Sequence, residues 1–333
     1  MIHEKGSTKT VNARMSAGWS TYHASMYGVL TAAGMTDLSM ADFAGMTGLA
    51  FHLYMNNHCD PSGVTVYNWP VRHQNAMDRI GVLTEMYHYE PGTNTYEAAR
   101  QRAVDNLKAA IDSGVGAVAW AIDTGEFGVI YGYDDDDGIF YVDGVDKFNR
   151  DLGSDPMLYE NIAKKFPPAP FLHYQIPVAK VPIDLERVYR DSLTMYVDEM
   201  ERAFHMSPDF HSGLHAYDVW MQSLSDNTYN PFGLRYCTTV YAESKCFAAE
   251  YAHALADKWN GWSGIRMLAD YFDQIAHSYK SMMNVLEQDW NGGQHLGKPV
   301  NEKQAQGMIP HILKAKQLEE QSVQLIKREL LGQ

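Results

Sequence analysis

Residues 126–143 read EFGVIYGYDDDDGIFYVD and contain two runs rich in β-branched and aromatic residues on either side of an acidic turn. The runs 127–133 and 139–142 are typical of strands, and aspartates closed by a glycine are typical of a connecting turn. The aspartates lack the alternating ligands and the distal glutamate of an EF-hand loop, so we interpret them as a solvated turn. The stretch predicts a β-hairpin that opens at Glu126 and closes at Asp143.

The residues around this hairpin mix helix and strand signals. Apolar residues at helical spacing predict a helix from Ser20 to Ala33 and a longer one from a Thr95 cap to Gly114. Ser39 is a plausible N-cap for a short helix between them. The apolar run 115–122 predicts the strand that precedes the hairpin. This part of the chain is therefore predicted to be an α+β domain.

The composition changes after residue 165. The segment 166–182 contains five prolines, which remove hydrogen-bond donors and fix φ, so we interpret residues 171–182 as an extended linker. The residues after it carry amphipathic patterns of about five helices, with glycine or proline at most joints. We therefore predict an α+β domain at 1–170 and an all-helical domain at 183–333.

The chain has 333 residues, a net charge of −14 and three cysteines. The negative charge provides no electrostatic footprint for nucleic acid or anionic lipid. Too few cysteines are present for a disulfide framework, and the N-terminal residues lack the apolar run of a secretory signal. We expect a cytoplasmic protein with no nucleic-acid or membrane partner.

The sequence lacks the common motifs for cofactors and metals. No P-loop and no GxGxxG after a strand occurs, so the sequence predicts no cofactor. His211 and His215 are four residues apart, but Ser212 stands where a zincin has glutamate. A polar helix face is the preferred interpretation of these histidines, and no metal site is predicted.

Three stretches carry a resemblance to a known family: GWSTYHASMYGVLTAAG (18–34), GLAFHL with PSGVTVYNW (48–69) and the hairpin with Gly144 (126–144). They resemble papain-like domains of bacteriocin-processing cysteine peptidases, and more closely the N-terminal domain of the butirosin-biosynthesis acyltransferase family. The stretches GLHAYDVW (213–220) and YAESKCFAAEYAHALA (241–256) are similar to the region C-terminal to that domain. The resemblance implies a papain-like fold with a helical domain after it.

The resemblance also assigns positions to the family's catalytic residues. Its cysteine belongs at the start of the first helix, where this chain has residues 20–23, Ser-Thr-Tyr-His. Its histidine leads the hairpin, where this chain has Glu126, and its third member matches Asp143. No cysteine stands at the nucleophile position, and a carboxylate is a poor base for the hydroxyls that stand there. Acyl transfer of the thiol type is therefore disfavoured. If Glu126 and Asp143 lie close in space, we expect them to serve instead as a catalytic acid/base couple whose pKa values are pushed apart.

Other side chains are secondary candidates. Cys59, beside His58 and Asp60, is the fallback nucleophile, although a partly buried loop thiol is the commoner situation. Aromatic and polar side chains are also candidates for the walls of a cleft; the alternative is a surface position for His23 and a core position for Trp120 and Tyr131. They are Trp19, Tyr22, His23, Trp120 and Tyr131.

The functional expectation combines these elements. We expect a divergent papain-like protein that binds a small amide, amine or acyl compound in an interdomain cleft, as an acyltransferase or amide hydrolase with a carboxylate pair. The alternatives are a catalytically inactive scaffold that binds a ligand or partner, and a thiol hydrolase or transferase that uses Cys59. The sequence permits a homo-oligomer and does not name the substrate.

Overall fold

The computed structural model describes residues 8–145, 154–202, 208–290 and 292–332. It has the predicted α+β class, with an antiparallel sheet in the N-terminal half and helices in the C-terminal part. No helix in these ranges is long and apolar enough to cross a membrane.

The chain divides into two compact units. The first unit comprises Met1–Asp37 and Pro70–Pro182, and the second comprises Leu38–Trp69 and Ile183–Gln333. The predicted boundaries at 1–170 and 183–333 therefore need a correction, because residues 38–69 cluster with the C-terminal helices. Sequence order alone did not indicate this, since residues 38–69 are preceded and followed in the sequence by residues of the first unit.

The first unit contains a seven-stranded sheet in which all described pairings are antiparallel. Its strands are β1 (Thr8–Thr10), β3 (Val82–Tyr89), β4 (Ala117–Trp120), β5 (Phe127–Asp134), β6 (Ile139–Asp143), β7 (Met157–Leu158) and β8 (Leu172–Lys180). The order is β3-β8-β4-β5-β6-β7, and β1 pairs with the far end of β5. Strand β5 therefore pairs with β1, β4 and β6.

The hairpin predicted at 126–143 is confirmed as β5 and β6. Gly132 pairs with Tyr141, and Asp134 pairs with Ile139 across the acidic turn. Gly138 has a φ of 65°, a left-handed conformation that glycine adopts without steric cost. The turn closes as the sequence predicted because the aspartates and this glycine suit a tight connection between strands.

The described helices of the first unit are α1 (Thr21–Ala32), α3 (Trp69–Arg79), which starts at the boundary, and α4 (Tyr96–Asp112). A short 3₁₀ segment covers Tyr159–Asn161. The predicted apolar stripe of α4 is buried in one core with residues of the sheet. The stripe consists of Ala103, Leu107, Ala110 and Ile111, and it packs with strand residues such as Ile130, Phe140 and Tyr174.

The predicted linker at 171–182 is wrong, because it contains strand β8 in the interior of the sheet. Strand β8 pairs with both β3 and β4. Pro177 lies at the place where the register with β3 shifts, and a bulge is where a strand tolerates a residue without an N–H. The proline content was therefore misleading.

The second unit contains a two-stranded sheet of β2 (Tyr54–Asn56) and β9 (Phe210–Ser212), with 3₁₀ segments at Leu49–Phe51, Pro61–Thr65 and Gly292–His295. Its helices are α2 (Met40–Thr47), α5 (Leu185–Glu201), α6 (Gly213–Ser225), α7 (Pro231–Lys258), α8 (Ile265–Val285) and α9 (Glu302–Ile326), with a π turn after them at Lys327–Leu331. Helix α2 begins after Ser39, whose hydroxyl accepts a 3.0 Å bond from the amide of Asp42. The predicted cap and the five predicted C-terminal helices are confirmed.

A buried polar cluster lies inside the second unit. Lys245 forms a 2.6 Å ion pair with Glu319, and the two side chains are 3% and 0% exposed. The Glu319 carboxylate also accepts hydrogen bonds from the hydroxyls of Tyr196 and Tyr217. Burying an ionised pair is costly unless its remaining lone pairs are satisfied, and the tyrosines satisfy them here.

Candidate functional site

Glu126 ends the turn that connects β4 to β5. The strands pair with Trp120 opposite Phe127, and the amide of Ala121 donates a 2.8 Å bond to the carbonyl oxygen of Glu126. Ala121 has a φ of 54°, a left-handed conformation that costs a non-glycine residue on the order of 1–2 kcal/mol. Strained backbone of this kind is found preferentially at functional sites.

Thr21 is the first residue of α1, directly after the N-cap residue Ser20. Its hydroxyl donates a 2.8 Å hydrogen bond to Oε2 of Glu126 and accepts a 3.2 Å bond from the amide of Phe127. The start of the first helix therefore meets the start of the hairpin. These are the positions that the resemblance assigns to the nucleophile and its base.

The location of this Thr21–Glu126 pair has an electrostatic consequence. The first turn of a helix has backbone N–H groups without intrahelical partners, so its N-terminus favours a negative charge. Glu126 is half-buried, and a carboxylate has about four acceptor sites, so it can accept several hydrogen bonds at once. The pair thus combines an oriented hydroxyl with an acceptor for the N–H groups of a ligand.

Asp143 ends β6 and is buried. Its Oδ2 accepts a 2.8 Å hydrogen bond from the backbone amide of Met15, in the segment that leads to α1. Strand pairing places Asp143 opposite Val129, two residues beyond the first residue of β5. This contact fastens the N-terminal segment to the sheet, a structural role that the prediction of an acid/base couple did not foresee.

Tyr22 and Trp120 lie in the interior of the first unit. The Tyr22 hydroxyl donates to Oε1 of Gln175 at 2.8 Å, and the Trp120 ring nitrogen donates to the carbonyl of Ala169 at 2.9 Å. Both rings also pack edge-on against Phe127. The predicted role of Tyr22 as a cleft wall therefore needs a correction, and Trp120 takes its alternative position in the core, because packing occupies both their apolar faces and their polar atoms.

The other predicted lining residues are spread over the first unit. His23 is buried on α1, so a surface position is excluded. Trp19 is half-buried before α1. Tyr131 is half-buried on β5, with the Arg14 guanidinium 3.5 Å from its ring centre and Tyr141 stacked at 6.1 Å. The cation–π contact stabilises the N-terminal segment against the sheet.

Cys59 belongs to the second unit and is fully buried. Burial raises the pKa of its thiol to about 12, while a hydrogen bond from Ser223 acts in the opposite direction. A reactive cysteine needs a lowered pKa and access to solvent, and this thiol has neither. The structure therefore contradicts Cys59 as the fallback nucleophile.

His211 and His215 face one another with ring centroids 4.7 Å apart. Nε2 of His211 contacts Oδ1 of Asn57 at 2.9 Å, and His215 lies 3.8 Å from Asp218. Across the described ranges, no group of three histidine, cysteine or acidic side chains is arranged to hold a metal ion.

Sequence reasoning missed several polar side chains of the first unit. Thr21 lies in the run 20–23 that the resemblance assigns to the nucleophile, and this position is the one signal in the sequence that points to it. Gln175, His73 and His173 are fully or almost fully buried, and His73 contacts both of the others through hydrogen bonds. No pattern in the sequence indicates these contacts, because their partners are about 100 residues apart.

Known proteins provide no independent assignment for this site. No protein-family model matches the chain, and no curated protein is significantly similar to it. The resemblance to papain-like acyltransferases therefore supports a proposal and no more than that.

Proposed function

We propose that the first unit is a divergent papain-like domain that binds a small amide, amine or acyl compound at the Thr21–Glu126 pair. The observation that carries the proposal is the 2.8 Å hydrogen bond between the Thr21 hydroxyl and the Glu126 carboxylate. It joins two residues that are 105 positions apart, at the positions where the resembled family holds its nucleophile and base.

The chemistry of the pair favours ligands that donate N–H groups. Glu126 is an acceptor, and hydrogen bonds between a carboxylate and an ammonium or amide donor are among the stronger ones in proteins. The amide of Phe127 already holds the Thr21 hydroxyl oxygen, so the hydroxyl has a fixed orientation. A fixed donor–acceptor pair recognises a small polar group with little loss of conformational entropy.

Acyl transfer through the Thr21 hydroxyl is the second candidate, because the hydroxyl contacts a carboxylate at hydrogen-bonding distance. A carboxylate is a weaker base than imidazole by about two pKa units, and a threonine hydroxyl is a weaker acid than a thiol. Binding without rapid turnover is therefore the better-supported activity. Binding without rapid turnover is also what the alternative of an inactive, ligand-binding scaffold predicts.

A binding screen with matched variants tests the proposal. The intact protein is titrated with small primary amines, carboxamides and N-acyl compounds, and binding is followed by ligand-observed NMR. We expect Glu126→Gln and Thr21→Val each to weaken binding of the N–H donors at least tenfold. Asp105→Asn removes an exposed carboxylate on α4 of the same unit and serves as the control. Equal binding by the wild type and Glu126→Gln would reject the proposal.

Turnover is tested separately with an activated acyl ester. Intact-protein mass spectrometry after incubation detects an acyl group, and peptide mapping locates it. Acylation of Thr21 that is lost in Glu126→Gln, together with retained binding, would favour the transferase. Absence of acylation in a protein that binds amines would leave the binding function as the activity of the site.

A further inference from the structure

Strand β3 (Val82–Tyr89) is an edge strand of the seven-stranded sheet. It pairs with β8 on one side, and no strand among the described residues lies on its other side. The outward backbone N–H and C=O groups between Leu83 and Tyr87 therefore have no ladder partner within one copy of the chain. Such a row of groups is a template on which another strand can pair.

The features that protect an edge strand from association are lacking in β3. Proteins protect edges with short strands, prolines, lysines or bulges that twist the edge away. Strand β3 has eight residues, contains neither proline nor lysine, and carries Glu85 as its one acidic residue. Its register with β8 shifts near its start, between Leu83 and Thr84, and Leu83 is 55% exposed. These properties predict association through this strand.

Antiparallel pairing makes β3 complementary to a second copy of itself. A two-fold axis perpendicular to the sheet relates two antiparallel copies of one strand, so a closed dimer forms without any other partner. This axis keeps each face of the sheet on the same side in both copies. Directly opposed residues must therefore belong to the same face, which requires one residue to lie on the axis opposite its own copy.

Charge and length select the residue on the axis. An axis at Glu85 would place two carboxylates directly opposite, with Cβ atoms about 5 Å apart, which is destabilising. An axis at Met86 avoids this contact and pairs residues 83–89, whereas an axis at Tyr87 pairs only residues 85–89 of the strand. The opposed pairs with the axis at Met86 are Met86 with Met86, Glu85 with Tyr87, Thr84 with His88 and Leu83 with Tyr89.

Arg102 on α4 supplies charge complementarity for this register. Burial raises the pKa of the Tyr87 phenol, the Glu85 carboxylate acts in the same direction, and Arg102 acts in the opposite one. Both charged groups therefore lie near Tyr87, whose hydroxyl donates a 3.2 Å bond to Oε2 of Glu85. Arg102 is exposed and forms no ion pair with another described residue. In the dimer, Glu85 of the second copy lies opposite Tyr87 and so reaches Arg102.

We propose that two copies of the chain pair antiparallel through β3 about a two-fold axis at Met86, with Glu85 of each copy beside Arg102 of the other. The pairing joins the two seven-stranded sheets into one and covers the exposed Leu83 with the Tyr89 ring of the other copy. The Thr21–Glu126 pair lies at the start of β5, away from this edge, so the dimer does not depend on what binds there.

Sedimentation velocity of the intact protein tests the proposal. Measurements from about 1 to 100 µM protein, in about 0.15 M salt, cover micromolar association and screen the repulsion between two chains of net charge −14. We expect the wild type to dimerise in this range. Glu85→Arg and Arg102→Glu each place like charges across the axis and should weaken dimerisation at least tenfold. Asp105→Asn, also on α4, should not. A wild type that stays monomeric would overturn the proposal.

A mixture of the two charge variants separates a contact between copies from one within a copy. Glu85→Arg has two arginines at the paired positions, and Arg102→Glu has two glutamates. A mixed dimer therefore regains two pairs of opposite charge, whereas neither variant alone does. We expect native mass spectrometry of a 1:1 mixture to detect mainly the mixed dimer. A mixture that dimerises no better than its two components would contradict the register.

Disulfide cross-linking locates the axis. Opposed Cα atoms in an antiparallel pair are about 4.5–5.5 Å apart, a distance that a disulfide spans. Met86→Cys should therefore be linked to its copy by oxidised glutathione. Leu83→Cys is the control, because its copy lies six residues away along the strand, about 20 Å. Both variants carry Cys246→Ser, which removes the least buried natural cysteine. Equal cross-linking of the two variants would reject an axis at Met86.

Discussion

The hydroxyl of Thr21 donates a 2.8 Å hydrogen bond to the carboxylate of Glu126, and the amide of the next residue, Phe127, donates to the same hydroxyl at 3.2 Å. One side chain on the first helix thus joins both the side chain and the backbone at the opening of the hairpin. This arrangement makes the pair a structural joint of the first unit and its candidate binding centre.

Replacing Thr21 by valine should destabilise the protein. The substitution keeps the side-chain shape but leaves the amide of Phe127 without this acceptor, which costs about 1–2 kcal/mol of unfolding free energy. Urea unfolding followed by circular dichroism measures the change. Thr21→Ser retains the hydroxyl and is the control. If Thr21→Val and Thr21→Ser unfold at the same urea concentration, the hydrogen bonds contribute nothing to stability.

Gly28 is required by the close approach of α1 to the preceding segment. A Cβ atom at this position would lie 1.8 Å from the carbonyl oxygen of Arg14, which is backbone and cannot rotate away. We expect Gly28→Ala to lower the unfolding free energy by about 2 kcal/mol or more through overpacking. Gly297→Ala adds the same methyl group where no atom lies within 4 Å, and it should be nearly neutral. A neutral Gly28→Ala would mean that α1 has room to move outwards.

The buried pair of Lys245 and Glu319 should show strong coupling. Lys245→Met leaves the Glu319 carboxylate buried without its cation, which should cost about 3–5 kcal/mol. Glu319→Gln removes the charge but keeps one oxygen, which can accept from Tyr196 or from Tyr217, because the two hydroxyls donate to different oxygens of Glu319. The double variant should therefore be more stable than Lys245→Met alone. Additive effects in this double-mutant cycle would contradict an ion pair.

The burial of His173 gives the stability of the protein a defined pH dependence. Burial lowers the pKa of His173 from 6.5 to about 3, so the unfolded state binds this proton first as the pH falls. The contribution is complete above about pH 6.5 and is lost between about pH 6.5 and 3, with a slope of up to about 1.4 kcal/mol per pH unit.

His173→Phe isolates this contribution from those of other groups. Unfolding free energies of the wild type and the variant are compared between pH 4 and 7, and the wild type should show the steeper loss by about one proton. Parallel pH profiles would mean that His173 takes up its proton over the same pH range in the folded and unfolded states.

Cys59 should resist alkylation in the folded protein. Its thiol is buried and burial raises its pKa to about 12, so a negligible fraction is thiolate at neutral pH. Iodoacetamide treatment and peptide mass spectrometry should detect labelled Cys59 only after denaturation. The less buried Cys246 is the internal reference. Labelling of Cys59 before Cys246 under native conditions would restore the thiol as a candidate nucleophile.

The local elements of the fold were predictable because their signals are local. The hairpin at 126–143, the cap at Ser39 and the stripe of α4 derive from turn residues, capping chemistry and helical spacing. Strand β8 was not predictable in the same way. Its prolines indicated a linker. Only the pairing with β3 and β4 shows that these prolines lie before the strand, after it, and at a bulge within it.

The same distinction between local and long-range signals applies to the candidate site. The sequence by itself determined which chemistry is present: an acidic residue at the head of the hairpin, hydroxyls at the start of the first helix, and no cysteine at either place. The tertiary structure alone decided which of these groups meet. Thr21 contacts Glu126, Asp143 holds the amide of Met15, and Cys59 belongs to the second unit.

The physical reason is the range of the interactions. Helix caps, turns and amphipathic stripes depend on residues within about four positions of one another, so a single sequence specifies them. The Thr21–Glu126 bond and the contacts of His173 with His88 and His73 join residues 85 to 105 positions apart. Such pairs form only when helix packing and strand pairing bring their backbones together, and no local pattern in the chain encodes that event.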